Sequence, residues 1–212
     1  MSNQKNTILI AYSGHAFVIY DILKSQNKTV TTYCDSEEKI NNPFLLQYLG
    51  KEDSEIALNM LQNDDYFVCI GNNNIRRKVQ EKMTMLSQKA PINAIHQKST
   101  INTMVTLGNG VMVAASAVIN PLSNIGSGVI CNTGCIIEHE NQIGDFVHIG
   151  PGAVLCGNVR IDENSFIGAN TVVKQGVTIG KNVIIGAGSV VIENIPDNCT
   201  AVGNPCKIIK ND

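Results

Sequence analysis

Two rhythms of hydrophobic and polar positions divide this chain. Before about residue 95, short apolar runs alternate with segments of helical period. Thr7-Ile8-Leu9-Ile10-Ala11 is a buried-strand run ending in Ser13-Gly14-His15, and Phe17, Val18, Ile22 and Leu23 then recur on one helical face that closes near Gln26-Asn27. Thr29 to Tyr33 is rich in β-branched residues and ends at Asp35. Tyr66-Phe67-Val68-Cys69-Ile70 predicts another buried strand, stopped by Gly71-Asn72-Asn73-Asn74. A helix is predicted from Ile75 to Leu86, with Arg76, Arg77 and Lys78 in its first turn. Strands separated by helices predict a small parallel α/β sheet. Ligands of such sheets sit at the carboxyl ends of the strands, here Ser13-Gly14-His15, Asp35 and Gly71-Asn72.

The second rhythm has a period of six. Stepping from Ile101 through Leu107, Val113 and Ile119 to Val191 meets sixteen consecutive lead positions, aliphatic everywhere except Cys131. Gly follows the lead residue seven times, as at Gly108, Gly126 and Gly144, and the fifth position is small or β-branched nearly throughout. Six is neither a helical period nor a plain strand alternation. It fits a hexapeptide β-solenoid in which each hexad makes one flat side and one corner. The lead residue should point inward, and the Gly and Asn positions should take corners with unusual backbone angles. At three hexads per turn, sixteen hexads give about five coils, and stacked strands ~4.8 Å apart make a prism ~25 Å tall.

Composition sharpens the division. Residues 1–100 hold 3 of the 18 Gly and 21 of the 34 charged residues, so two architectures meet near Ala94 to Ser99. We expect a domain over 1–95 and a second over 96–212. A net charge of −2 and 5% aromatic residues, with no Trp, argue against a nucleic-acid partner. Seven irregularly placed Cys do not make a secreted disulfide framework. Ser99 to Ile137 contains no charged residue, yet Asn, Gly, Thr and Ser interrupt it too often for a membrane span of about 20 apolar residues. With no signal peptide at the N-terminus, a soluble, cytoplasmic protein is expected.

The repeat resembles the left-handed parallel β-helix of hexapeptide acyltransferases. A narrower likeness comes from five segments in order: Tyr12-Ser13-Gly14-His15-Ala16, Ile70 to Arg76, Ile137-Glu138-His139-Glu140, Ile143 to His148, and Val202-Gly203-Asn204-Pro205. Together they resemble the bacterial PglD/NeuD-like sugar-nucleotide acetyltransferases over essentially the full length. The resemblance implies a small Rossmann-like domain that holds a nucleotide sugar, followed by a β-helix that forms a homotrimer and binds acetyl-CoA between neighbouring subunits. It implies His139 as catalytic base, Glu140 as the carboxylate supporting it, and Asn132 as an active-site residue. His148 would contact acetyl-CoA, while backbone groups at Gly157, Ala169 and Ala187 on successive coils would line the CoA arm. Ser13, Gly14, His15, Asp35 and Gly71 would contact the nucleotide sugar. The chain departs from the family at Ala11, where Gly usually opens the first loop, and at Ser36, where some relatives carry a second Asp.

The chemistry of these residue types fits acetyl transfer to an amine, which needs a base near neutral pKa, and His is that side chain. Strict alternation along a strand would turn His139 away from both Glu138 and Glu140. An orienting carboxylate must therefore come from a corner, where alternation fails, or from another subunit. His148 is nine residues from His139, half of an 18-residue coil, so the two histidines belong to different sides of one prism. Two His in the repeat fall short of a three-histidine zinc set, and no metal is expected. Cys131 and Cys135 fall on inward positions, and nothing marks Cys156 as a nucleophile, which favours direct transfer without an acyl-enzyme.

The expected activity is N-acetylation of the 4-amino group of a nucleotide-linked, UDP-type 4-amino-4,6-dideoxy sugar in bacterial surface glycan synthesis. The alternatives are O-acetylation of a sialic-acid-type sugar, N-acetylation of a GDP- or dTDP-linked amino sugar, and a non-enzymatic nucleotide-sugar-binding scaffold.

Overall fold

The computed structural model describes residues 5–211, which fall into two compact units divided between Gln97 and Lys98. The first is a four-stranded parallel sheet with helices: β1 (Asn6–Ile10), α1 (Gly14–Ser25), β2 (Thr29–Cys34), β3 (Gln47–Tyr48), α2 (Glu55–Leu61), β4 (Asp65–Val68) and α3 (Asn73–Ser87). The strand order is β3-β2-β1-β4, with Ile10 paired to both Cys34 and Val68. The chain winds outward from β1 to β3 and returns to the opposite side of β1 as β4. The order therefore reverses between β1 and β4, where a parallel sheet opens its ligand crevice.

Alternation along β1 sends Ile8 and Ile10 into a buried cluster with Leu61, Tyr66, Val68 and Met83. The helix α1 buries Ala16, Ile19, Ile22 and Leu23, a stripe of helical spacing. β3 and α2 lie in a stretch where the sequence offers no periodic run. β3 has two residues, and the single short helix is started by Ser54, whose hydroxyl accepts from the Ala57 amide at 3.2 Å.

The second unit is the left-handed parallel β-helix that the period of six predicts. Each hexad supplies a two-residue strand, and strands pair with those 18 residues away, as Ile136–Ile137 does with Val118–Ile119 below and Val154–Leu155 above. Lead residues point inward, and Ile119, Cys131, Ile137, Ile149, Leu155, Ile167 and Val173 are all at most 1% exposed. The three faces differ outside. One carries Asn124, Gln142 and Arg160, all exposed, while another carries Val118, Ile136, Val154, Val172 and Val190.

The corner angles correct one expectation. Glycines that follow a lead residue do not adopt left-handed angles; they are there because the next coil passes too close for a side chain. A Cβ on Gly168 would stand 2.5 Å from the Ala187 amide nitrogen. The left-handed angles fall two positions further on. They occur at Gly134, Gly152, Asn158 and Asn170, and also at Glu140 with φ of 61°. Backbone crowding thus selects one set of glycines and corner geometry the other.

The C-terminus ends in an antiparallel hairpin of Cys199–Val202 with Lys207–Asn211. No described helix is long and apolar enough to cross a membrane.

Candidate active site

The corner after the Ile136–Ile137 strand carries His139 and Glu140. Because Glu140 takes a left-handed angle, the alternation that would separate the two side chains is broken. His139 Nδ1 and Glu140 Oε2 lie 2.9 Å apart. The carboxylate accepts, so Nδ1 holds the proton and the Nε2 lone pair is left to act as base. Glu138 is engaged elsewhere: its Oε2 accepts from Asn120 Nδ2 at 3.0 Å, one coil away. Both dyad side chains are about half exposed, at 51% and 56%.

The imidazole rests on the following coil. A Cβ on Gly157, 18 residues on, would lie 2.5 Å from His139 Cε1 and 2.6 Å from Nε2. Gly157 therefore forms the floor beneath the base. Asn132 and His148 belong to a different face, where Asn132 Nδ2 and His148 Nε2 are 3.2 Å apart and the His148 ring meets Phe166 edge-on at 5.0 Å. Within one chain the structure brings Asn132 to His148 and His139 to Glu140, on separate sheets. Ala169 is half-buried and Ala187 exposed on successive coils, and Ala169 O accepts from the Gly188 amide at 2.8 Å.

In the first unit, Ser13, Gly14, His15, Asp35 and Gly71 all stand at the carboxyl end of the sheet, after β1, β2 and β4. Ser13 precedes α1 with its side chain making no capping bond, and that first turn contains no acidic residue. His15 lies close to Arg76; burial and that guanidinium push its pKa down to about 4, and its Nε2 has no hydrogen-bond partner. Arg76 itself is only 2% exposed and donates to Gly71 O at 2.8 Å, Ile70 O at 3.2 Å and Asn73 Oδ1 at 3.0 Å. Burial lowers its pKa to about 9, so it keeps its charge at neutral pH. A positive charge close to His15, in the first turn of α1, adds to the pull of that helix N-terminus on anions.

Asp35 sits differently from a free acceptor. Its oxygens take hydrogen bonds from the Tyr12 amide (2.8 Å), the Ser36 amide (2.7 Å) and hydroxyl (3.0 Å), and pair with Lys39 Nζ at 3.1 Å. Burial opposes its charge, but these four partners outweigh that and hold its pKa below the usual carboxylate range. The carboxylate thereby fastens the loop after β1 to the loop after β2. Between those loops lies a cavity of about 300 Å³ lined by Tyr12, Ser13, Gly14, Phe17, Lys39 and Ile40.

Comparison with known proteins was consistent in both units. Residues 6–83 match the model of the PglD N-terminal domain, and 142–175 and 158–193 match the bacterial transferase hexapeptide model. A crystal structure of perosamine N-acetyltransferase from Caulobacter crescentus, in complex with CoA and GDP-perosamine, is 35% identical. It covers 98% of this chain and 97% of its own, with a TM-score of 0.90. The chain belongs to the PglD/NeuD-like sugar-nucleotide acetyltransferase family. The acetyltransferase domain of PglB from Neisseria gonorrhoeae, solved with acetyl coenzyme A, is 32% identical over 98% of this chain and all of its own, with a TM-score of 0.88. WeeI from Acinetobacter baumannii, at 20% identity and a TM-score of 0.81, shares the fold. No curated protein sequence matches the chain.

For a PglD/NeuD-like chain, sequence reasoning missed two features. One is the burial of Arg76, which the sequence places only in the first turn of a helix. The other is the buried pair Ser123 and Asn141 directly inside the His139 corner. A polar residue at an inward, normally aliphatic hexad position was the available signal. Among the described residues no group of three or more His, Cys, Asp or Glu is placed to hold a metal ion.

Proposed function

We propose that this chain is an acetyl-CoA-dependent N-acetyltransferase acting on a nucleotide-linked amino sugar, and more specifically on the 4-amino group of a 4-amino-4,6-dideoxy sugar destined for a bacterial surface glycan. The observation that carries this reading is the His139–Glu140 pair, set on the Gly157 floor and open to solvent. As the amine nitrogen forms its bond to the thioester carbonyl carbon, His139 Nε2 takes the amine proton and Glu140 stabilises the resulting imidazolium. Collapse of the tetrahedral intermediate breaks the C–S bond, and the proton passes to the departing CoA sulfur. No cysteine is needed as an acyl carrier.

We assign acetyl-CoA to His148, Gly157, Ala169 and Ala187, keep Asn132 with His139 and Glu140 as an active-site residue, and assign the nucleotide sugar to Ser13, Gly14, His15, Asp35 and Gly71. Arg76 and the open start of α1 suit a diphosphate. Asp35 also shapes the loops of that pocket: three donors converge on its Oδ1, while Oδ2 accepts only the Tyr12 amide and keeps an acceptor position for the sugar. A homotrimer is supported by the outward row of Val118, Ile136, Val154, Val172 and Val190, an apolar stripe on the face that leads into the His139 corner. A neighbouring copy would cover that stripe and bring a second face to the dyad. UDP is the carrier the family resemblance implies. GDP is the second reading, favoured by the GDP-perosamine complex of the Caulobacter enzyme.

The test is thiol release from acetyl-CoA with a panel of UDP-, GDP- and dTDP-linked 4-amino sugars, with His139→Ala alongside. Turnover of one sugar that disappears in the variant is expected. Equal turnover in the variant would remove His139 as base, and release with hydroxyl acceptors alone would replace N- by O-acetylation.

A further inference from the structure

Asn141 occupies an inward hexad position and is completely buried. The residues stacked with it on other coils, at intervals of 18, are Val105, Ser123, Val159 and Val177. Valine closes the same corner on three coils, so the β-helix does not require an amide there. Burying one is costly unless its polar atoms find partners. Here both do. Asn141 Nδ2 donates to Glu138 O in a short bond, to Cys156 O at 3.1 Å and, more weakly, to His139 O at 3.4 Å, while its Oδ1 accepts from the Val159 amide at 3.1 Å. Ser123, equally buried, completes the brace: its hydroxyl donates to Glu138 O at 2.9 Å and accepts from the Asn141 amide at 3.3 Å.

The acceptors have one thing in common. Glu138 O and His139 O belong to the backbone that carries the base, and Cys156 O immediately precedes Gly157, the floor on which the imidazole lies. A single buried amide therefore ties the strand bearing His139 to the coil beneath it. We propose that Asn141, backed by Ser123, is a positioning residue for acetyl transfer: it fixes the height and tilt of the His139 imidazole over Gly157 and keeps Nδ1 on Glu140. This rests on the acetyltransferase reading and adds to it a residue that touches no substrate.

Asn141→Val restores the apolar corner of the neighbouring coils. The expected result is a ~10–100-fold fall in kcat, the scale of a misplaced catalytic group. KM for acetyl-CoA and sugar should stay within about threefold, since no binding contact is removed. Asn141→Ser provides a partial rescue. Buried hydroxyls at Ser123, Ser165 and Thr171 each donate to a carbonyl fifteen residues on, so a hydroxyl at position 141 would reach Cys156 O and keep the floor, but lose the tie to residues 138 and 139. The kcat of this variant should be intermediate. In a His139→Ala background, Asn141→Val should cost nothing further, because it acts through the imidazole.

Hydrogen exchange supplies a readout independent of turnover. The Val159 amide should exchange faster in Asn141→Val, with the Val177 amide unchanged. An unchanged kcat overturns the proposal, as does a rise in KM alone, an additive loss on His139→Ala, or faster exchange throughout the solenoid, which would mark a general packing role. If the parent enzyme acetylates no amino sugar, the functional reading itself fails; a locally faster Val159 amide would then show a purely structural brace and overturn the positioning role.

Discussion

Replacing Gly157 by Ala adds one methyl group directly under the base. The added carbon would stand 2.5 Å from His139 Cε1, 2.6 Å from Nε2 and 3.1 Å from Nδ1, and ordinary contacts are ~3.5–4.0 Å, so the ring must retreat by ~1 Å. It can do so cheaply. The His139 side chain is 51% exposed and free to swing toward water, and Gly157 is not among the residues with left-handed angles. Ala also restricts the unfolded chain, which favours the folded state by ~0.4–1 kcal/mol. Stability should therefore change by less than ~1 kcal/mol, whereas a base displaced by ~1 Å loses ~10²-fold in kcat, or ~2.7 kcal/mol of transition-state stabilisation. The assay pairs thiol release at saturating substrates with urea unfolding, and Gly168→Ala serves as contrast. There the clash is with the Ala187 nitrogen at 2.5 Å and the Gly186 carbonyl carbon at 2.7 Å, which are backbone atoms, so the loss should be in stability, ~1–3 kcal/mol. Wild-type kcat in Gly157→Ala would refute the stacked base. A stability loss equal to that of Gly168→Ala would show that the glycine serves packing alone.

Two further predictions concern the first unit. His15, with a folded pKa of about 4 against an ordinary 6.5, is neutral when folded and gains a proton on unfolding below pH 6.5. The unfolded state binds more protons in that window, so the stability due to neutral His15 is complete above pH 6.5 and is lost as pH falls toward 4, by up to ~3 kcal/mol. Urea midpoints of parent and His15→Gln at pH 7 and 4.5 measure it, and an equal loss in both proteins would rule out His15 as the source. Ala11 holds φ of 70°, a left-handed angle costing an L-residue ~1–2 kcal/mol, partly offset by the freedom Gly regains when unfolded. Ala11→Gly should thus stabilise by up to ~1 kcal/mol in the same assay, and a destabilised variant would show that the Ala11 methyl makes packing contacts worth more than the strain.

Much of the second unit was legible in the chain because its order is one-dimensional. Every sixth residue faces inward and pairing always joins residues 18 apart, so sequence register alone places Ile137, Leu155 and Cys131 in the core and His139 at a corner. The first unit yielded its central strands and long helices. β3 and α2 stayed hidden because two and seven residues are too few to establish a period.

What the sequence determined by itself was thus the two architectures, the inward column and the residue types of the site. Tertiary structure decided which groups meet. Alternation argued that His139 and Glu140 diverge, and the left-handed turn at Glu140 joins them. Arg76, which the sequence places only in the first turn of a helix, is buried and donates to Gly71 O, and stacking sets the Asn141 amide among three carbonyls. The physical reason is the same in each case. Periodicity reports the direction in which a side chain leaves the backbone, whereas a hydrogen bond depends on corner angles and on the coil or strand that packs alongside, and neither is written into the local pattern.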